Sequence, residues 1–393
     1  MATLLPMLLL LAKADLTGSV RTEVQAGEAP TISDPNPSFY GAALLRPDVT
    51  LKLLSPTTET LVSEAPRLMM QKPNSSNLDR PLFLNAFQVE HKGHRGVRLN
   101  WDLHLTSTAG EMDYAALSQA LGQQAALPYT LKLFTADGNA LVGWRLSRRW
   151  RLTTLVEVLR RQPLGTPPSG GLTLPTETDE TLEPQLEHTL STRQSVQLQT
   201  KLTHYNLTGD IRLEAIETEL QLGWRYQLSR HHELQLAAGA AVATAQQRSD
   251  PSLRWTSLSP LAEAVLVSSI PLTRTTSLRS RVGGKVVWYL DPILGVSLPQ
   301  GQFDANMGIA IAPAWLVELD VRATTNISRD PLPNSPIETM LSAGTPLRYL
   351  VQQNLFIEWG ARFSERGPHL TTPGFSLRQR EILGYFAVTV TTQ

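Results

Sequence analysis

The chain has no cysteine in its 393 residues, which removes thiolate nucleophiles, cysteine-ligated zinc and iron–sulfur clusters and leaves metal chemistry to eight scattered histidines. It has no net charge, 35 Lys and Arg standing against 35 Asp and Glu. Nucleic-acid binding by bulk electrostatics is thereby excluded, because counterion release needs a basic surface. Disordered charged tails are excluded with it. A run of about 18 apolar residues, the least that spans a bilayer as a helix, is also missing. Charged residues make up 18% and hydrophobic ones only 41%. What remains is a soluble all-β or α+β protein, or a membrane barrel whose hydrophobicity is diluted by alternation.

The N-terminus bears on that choice. Leu4 to Leu11 is a short apolar run, and Ala12-Lys13-Ala14 follows it as an A-x-A cleavage pattern. We read residues 1–14 as a signal peptide and 15–393 as a single domain.

Period-two patterning dominates the rest. Val97, Leu99, Trp101, Leu103 and Leu105 share one parity, and Arg98, Asn100, Asp102, His104 and Thr106 the other. The split returns at Ile216, Thr218, Leu220, Leu222, Trp224 and Tyr226 against Glu217, Glu219, Gln221, Gly223, Arg225 and Gln227. It recurs in 195–202, 317–322 and 355–362. Each segment is a strand with one oily and one wet face.

The strands run about 10 to 18 residues, against the usual five or six of soluble domains, and a tilted crossing of a bilayer needs about 9 to 11. The tight connections resemble one another: Leu54-Ser55-Pro56-Thr57, Leu146-Ser147-Arg148-Arg149-Trp150, Leu190-Ser191-Thr192-Arg193, Leu228-Ser229-Arg230-His231-His232 and Leu272-Thr273-Arg274-Thr275. Longer polar stretches lie between them, at 162–180, 247–255, 291–301, 328–337 and 365–377. Short turns on one side and long loops on the other are the organisation of a transmembrane barrel. A propeller shares a repeat of about 40 residues but has four short strands in each. Asp137-Gly138 is a hairpin dipeptide, yet Phe134, Ala136, Gly138, Ala140, Val142, Trp144 and Leu146 keep phase through it, so 129–147 reads as one strand.

The expected strands are 17–26, 42–54, 58–71, 82–91, 97–107, 129–147, 150–161, 181–190, 195–206, 212–228, 233–247, 256–270, 276–290, 302–312, 315–327, 338–346, 354–364 and 378–392. The expected fold is all-β: a closed antiparallel transmembrane β-barrel of about 18 strands, with 16 the alternative count, short periplasmic turns and long extracellular loops. Met112 to Gln124 is the one helix candidate, in an outer loop.

On this architecture the chain resembles bacterial outer-membrane β-barrel proteins over nearly all of its length. Its size, strand count and Leu-Ser-Arg-Arg-Trp type of turn are similar to the 18-stranded barrels proposed for polysaccharide export in myxobacteria and their relatives. The resemblance implies an outer-membrane location in a Gram-negative bacterium. It also implies the lipid bilayer, the outer-membrane insertion machinery and a periplasmic polysaccharide-export component as partners. One departure stands out: such barrels usually end in an aromatic residue, whereas this chain ends Val390-Thr391-Thr392-Gln393, with Phe386 the nearest ring.

Trp101, Trp144, Trp224, Trp288 and Trp359 fall on the apolar parity, most of them near short turns, and are expected in a membrane-interface belt. That leaves no aromatic ladder inside to guide sugars. The wet parity is charged on both signs. Arg98, Arg145, Arg151, Lys201, Arg225, Arg279, Arg281, Lys285, Arg322 and Arg362 are expected to line the lumen together with Asp102, Asp137, Glu157, Glu217, Glu219, Glu263, Glu318, Asp320 and Glu358. Side chains alone do not fill a barrel of this size, so the expectation is an aqueous, weakly ion-selective channel, narrowed by loops such as 162–180 folding inward.

Gly-x-Ser-x-Gly, HExxH and phosphate-loop patterns are absent, and the paired histidines at 91 and 94 beside the Lys92-Gly93 turn, and at 231 and 232, lack ligand spacing. No enzyme activity and no cofactor is expected. The expected function is a hydrophilic path for small solutes or an exported polysaccharide. The alternatives are a non-conducting structural or adhesive barrel whose long loops bind partners, and a soluble β-sandwich or propeller.

Overall fold

In most proteins the apolar parity of a strand turns toward a core; here it turns outward. A computed structural model describes residues 13–29, 38–72, 81–112, 131–165, 176–209, 212–248, 254–290, 297–311, 314–326, 337–369 and 379–392. All regular structure among them is β: β1 (Lys13–Ala29), β2 (Ser38–Leu54), β3 (Thr58–Glu64), β4 (Arg67–Lys72), β5 (Leu82–Arg95), β6 (Leu99–Met112), β7 (Leu131–Arg145), β8 (Trp150–Pro163), β9 (Thr176–Ser191) and β10 (Gln194–Thr208). The second half comprises β11 (Leu213–Gln227), β12 (His232–Gln247), β13 (Arg254–Pro271), β14 (Thr276–Leu290), β15 (Ser297–Ile311), β16 (Trp315–Asn326), β17 (Ile337–Gly344), β18 (Leu347–Gln352), β19 (Leu355–His369) and β20 (Gln379–Thr392).

These strands form one antiparallel sheet that closes on itself, because β20 pairs with β1 from Gly18↔Thr392 to Glu28↔Ile382. The sandwich and propeller alternatives fall with that closure. β3 and β4 lie end to end along β2, and β17 and β18 along β16, so the twenty segments make eighteen staves. Both breaks sit at a proline, Pro66 and Pro346, which has no N–H to give the ladder. Neighbouring groups carry the stave across: Ala65 N donates to Ala86 O at 2.8 Å, and Glu318 N to Pro346 O at 2.9 Å.

β7 runs unbroken through Asp137-Gly138, with Asp137 opposite Thr106 on one side and Leu159 on the other. Other boundaries move. The turn expected at Lys92-Gly93 lies three residues later, at Gly96-Val97-Arg98, where Gly96 takes a left-handed φ of 62°. Leu347–Gln352, expected as a connection, is a strand. β9, β15 and β19 extend beyond the expected ends on the long-loop side. There the outward residues turn polar as well, as at Thr178, Glu180 and Glu365, so alternation disappears while the backbone ladder continues.

Of the expected loop helix only Met112 is described, as the last residue of β6, and 166–175 within the loop expected to fold inward also lies outside the described residues. Lys13 and Ala14, the end of the expected leader, begin β1 opposite Leu54 and Leu53, and residues 1–12 lie outside the described set.

The short turns share a side-chain cap. Ser147 Oγ accepts the backbone N–H of Arg149 at 3.2 Å and of Trp150 at 3.1 Å. Ser229 Oγ accepts from His231 N at 3.1 Å, and Thr273 Oγ1 from Thr275 and Thr276 N at 3.2 and 3.0 Å. The repeated Leu-Ser or Leu-Thr is therefore a hydroxyl placed to satisfy the donors that a tight turn leaves free.

Candidate functional site

Because paired residues on neighbouring strands share a face, the register fixes the two surfaces. Outward residues such as Leu105, Leu220, Leu222 and Leu258 are exposed and large, and they form an apolar band about eight to ten residues deep along the staves. At the usual barrel tilt that depth is about 20–25 Å, the height of a bilayer's apolar band. Beneath it, toward the short turns, aromatic rings gather: Trp224 stacked on Tyr226 at 5.4 Å, Trp150 over His188 at 4.2 Å, and Trp315 against Tyr349 at 4.3 Å and Trp359 at 5.9 Å. Trp144 is 53% exposed there. The indole of Trp101 lies against Gly93, in the space that an added Cβ would occupy. An outward apolar band over an aromatic girdle is the surface of a transmembrane barrel of the outer-membrane type.

Trp288 is the exception among the expected belt residues. The β13–β14 ladder ends at Ala262↔Val286 among the described residues, and above that point Trp288 turns into the interior. It is 6% exposed, its indole N–H donates to Ser257 Oγ at 3.1 Å, and its ring meets Tyr205 at 5.7 Å. Leu207, Leu213, Ala215, Ala241, Ala243, Ala245 and Leu261 pack around it. Small inward residues on β12 let the wall curl here, so rings on β10 and β14 touch although three staves separate them. One corner of the barrel is thus filled, contrary to a uniformly open interior.

The other expected lumen residues occupy the inward parity, except Arg98, which sits in the turn after β5, on the rim. Glu217 faces inward but is fully buried: Tyr205 Oη–H donates to one oxygen at 3.0 Å, and the other has no partner among the described residues. Several charges pair along the wall. Lys201 holds Glu219 at 3.2 Å, and Arg281 approaches Asp304 at 3.7 Å. Glu358 accepts from Arg21 and Arg348, both at 3.0 Å. Beside this last group a recess of about 280 Å³ is lined by Ser19, Arg21, Arg46, Asp48, Arg348, Phe356, Glu358 and Thr389.

Height sorts these charges. Seven to nine residues in from the short-turn end of each stave, as from Lys13 to Arg21, Arg145 to Asp137, or Trp315 to Arg322, a belt of inward side chains circles the barrel at mid-depth. From β7 to β13 it carries Asp137, Glu157, Glu183, Glu219 and Glu263, with Lys201 as the counter-charge. From β14 round through β1 to β4 it carries Lys285, Arg322, Arg362, Arg21, Arg46 and Arg67, with Asp304 as the counter-charge. Residues of both halves, Glu157, Glu263, Lys285, Arg322 and Arg46 among them, make no ion pair with any described residue.

The sequence reading missed Arg21, Arg46, Arg67 and Glu183. Val20, Thr22 and Val24 against Arg21, Glu23 and Gln25 was a usable signal. On β2 and β9 the outward positions include Gly41, Ala43, Pro47 and Pro184, too small or too atypical to mark an oily face.

No protein-family model matches the chain, and no curated protein does either. Among solved structures, it is similar to OpdL of Pseudomonas aeruginosa at 10% identity and a TM-score of 0.46, covering 97% of this chain and 99% of that one. OpdQ of the same organism stands at 12% and 0.45, covering 97% of each chain. The copper transporter OprC stands at 7% and 0.49, covering 97% of this chain and 80% of that one.

Proposed function

We propose that this chain is an outer-membrane channel of a Gram-negative bacterium, that it gives small polar solutes a wetted path through its lumen, and that it is not an enzyme. The observation that supports this is the set of lumenal charges at mid-depth that make no ion pair with any described residue, Glu157, Glu263, Lys285 and Arg322. A dry or plugged interior would leave each of them uncompensated at a cost of several kcal/mol, whereas water solvates them. The bilayer and the outer-membrane insertion machinery are the partners this reading requires. Export of a polysaccharide with a periplasmic component is the finer alternative. Small solutes are preferred because most of the described aromatic rings lie outward and offer a sugar chain no continuous stacking track inside.

Planar-bilayer recording tests the reading. Purified, folded protein should insert and give discrete ohmic current steps. Folded protein that inserts and passes no current would overturn the channel in favour of a structural or adhesive barrel.

A further inference from the structure

The lumenal belt is divided by sign, not mixed. Its acidic arc runs over consecutive staves from β7 to β13 and its basic arc over those from β14 to β4, so the two face each other across the opening. Glu263 and Lys285, opposite each other in the β13–β14 register, mark one boundary, and uncharged Gln88 and Thr106 mark the other. Pairing removes some members of each arc, since Lys201 holds Glu219, Asp304 lies against Arg281, and Arg21 is held by Glu23 and Glu358, and the division is carried by Asp137, Glu157, Glu183 and Glu263 against Lys285, Arg322, Arg362 and Arg46. On the basic side Arg46, whose guanidinium has no ion pair among the described residues, borders a recess lined as well by Arg21, Arg348, the Ser19 and Thr389 hydroxyls and the Asp48 and Glu358 carboxylates.

Such an arrangement sets an electric field across the lumen, strengthened by the low-dielectric wall behind each arc. A monovalent ion is drawn to one arc and repelled by the other. A neutral solute must displace water that the field has oriented and regains nothing for it. A solute with a cation at one end and an anion at the other is favoured at both ends when it lies across the channel.

We propose that the channel is selective for small dipolar ions, solutes carrying one cationic and one anionic group. Their cationic end turns toward Glu157, Glu183 and Glu263, and their anionic end toward Lys285, Arg322 and Arg46. This rests on the channel reading above. Recognition is by the separation of opposite charges, so free amino acids and betaines share the required chemistry.

Liposome swelling with the full chain tests it, using serine as the dipolar probe and erythritol as a neutral solute of similar size. Serine should enter about threefold faster, the scale expected when each end meets several opposite charges through water. Combined Glu157→Gln, Glu183→Gln and Glu263→Gln should bring the ratio to about one and shift the reversal potential in a salt gradient toward anions. Lys285→Gln with Arg322→Gln should also lower the ratio and shift the potential toward cations. Equal serine and erythritol rates in the unaltered protein would overturn dipolar selectivity and leave the channel standing. No swelling with either solute, from protein shown to be folded, would overturn the channel itself. The unaltered-protein comparison does not depend on any variant folding.

Discussion

At the scale of single residues, Glu64 is the sharpest misfit with its surroundings. It lies outward, six residues above Thr58 and opposite Phe87, within the apolar band, and its carboxylate accepts from Asn85 Nδ2 at 3.1 Å. An ionisable group on a lipid face is destabilising in a depth-dependent way, less for a carboxylate than for a cation. Glu64→Leu should therefore raise stability in lipid vesicles by about 1 kcal/mol, read from the urea midpoint. A lowered midpoint would mean that this face does not meet lipid. Trp288 illustrates the opposite relation between residue and pattern. Its parity matches that of Trp224 and Trp359, but the pattern carries no information on where β13 and β14 part, and the indole fills that opening.

At the scale of elements, the turns explain the repeat. A capping hydroxyl that satisfies one or two turn donors contributes about 0.5–1.5 kcal/mol net. Ser147→Ala, Ser229→Ala and Thr273→Ala should each lower stability by that amount. The three losses should add, because the turns share no partners. Thr273→Ser, which keeps the hydroxyl, should lose little. Equilibrium urea titration of the three variants and their combination checks this, and a combined loss no larger than one single loss would refute independent caps. The strands themselves were legible wherever one face was oily and the other wet, as in β6, β11 and β16. Their ends on the long-loop side were not, because beyond the apolar band both faces are polar and period two carries no contrast. Pro66 and Pro346 broke the ladder without breaking the staves, since β2 and β16 continue past them.

At the scale of the whole molecule, the apolar band and aromatic girdle require an amphiphilic environment. The chain should need detergent to remain monodisperse and should migrate differently on gels before and after boiling, as a closed barrel resists unfolding by detergent at room temperature. A monodisperse species in plain buffer, measured by light scattering, would contradict the membrane reading. The lumen was expected to carry both signs in near-equal number and to be only weakly ion-selective. Its composition is balanced, but the tertiary arrangement separates the signs into facing arcs and fills one corner with Leu207, Leu213, Leu261 and Trp288.

The sequence by itself determined that the chain is β throughout its patterned length, that each strand has an oily and a wet face, where most tight turns fall and that there are about eighteen staves. All of these follow from local chemistry, since side-chain parity and turn caps are set within a few residues. Only the tertiary structure decided which staves face one another. That placement follows from strand register and from closure of β20 onto β1, which joins residues hundreds of positions apart, and it turns a neutral list of charges into an acidic arc opposite a basic one.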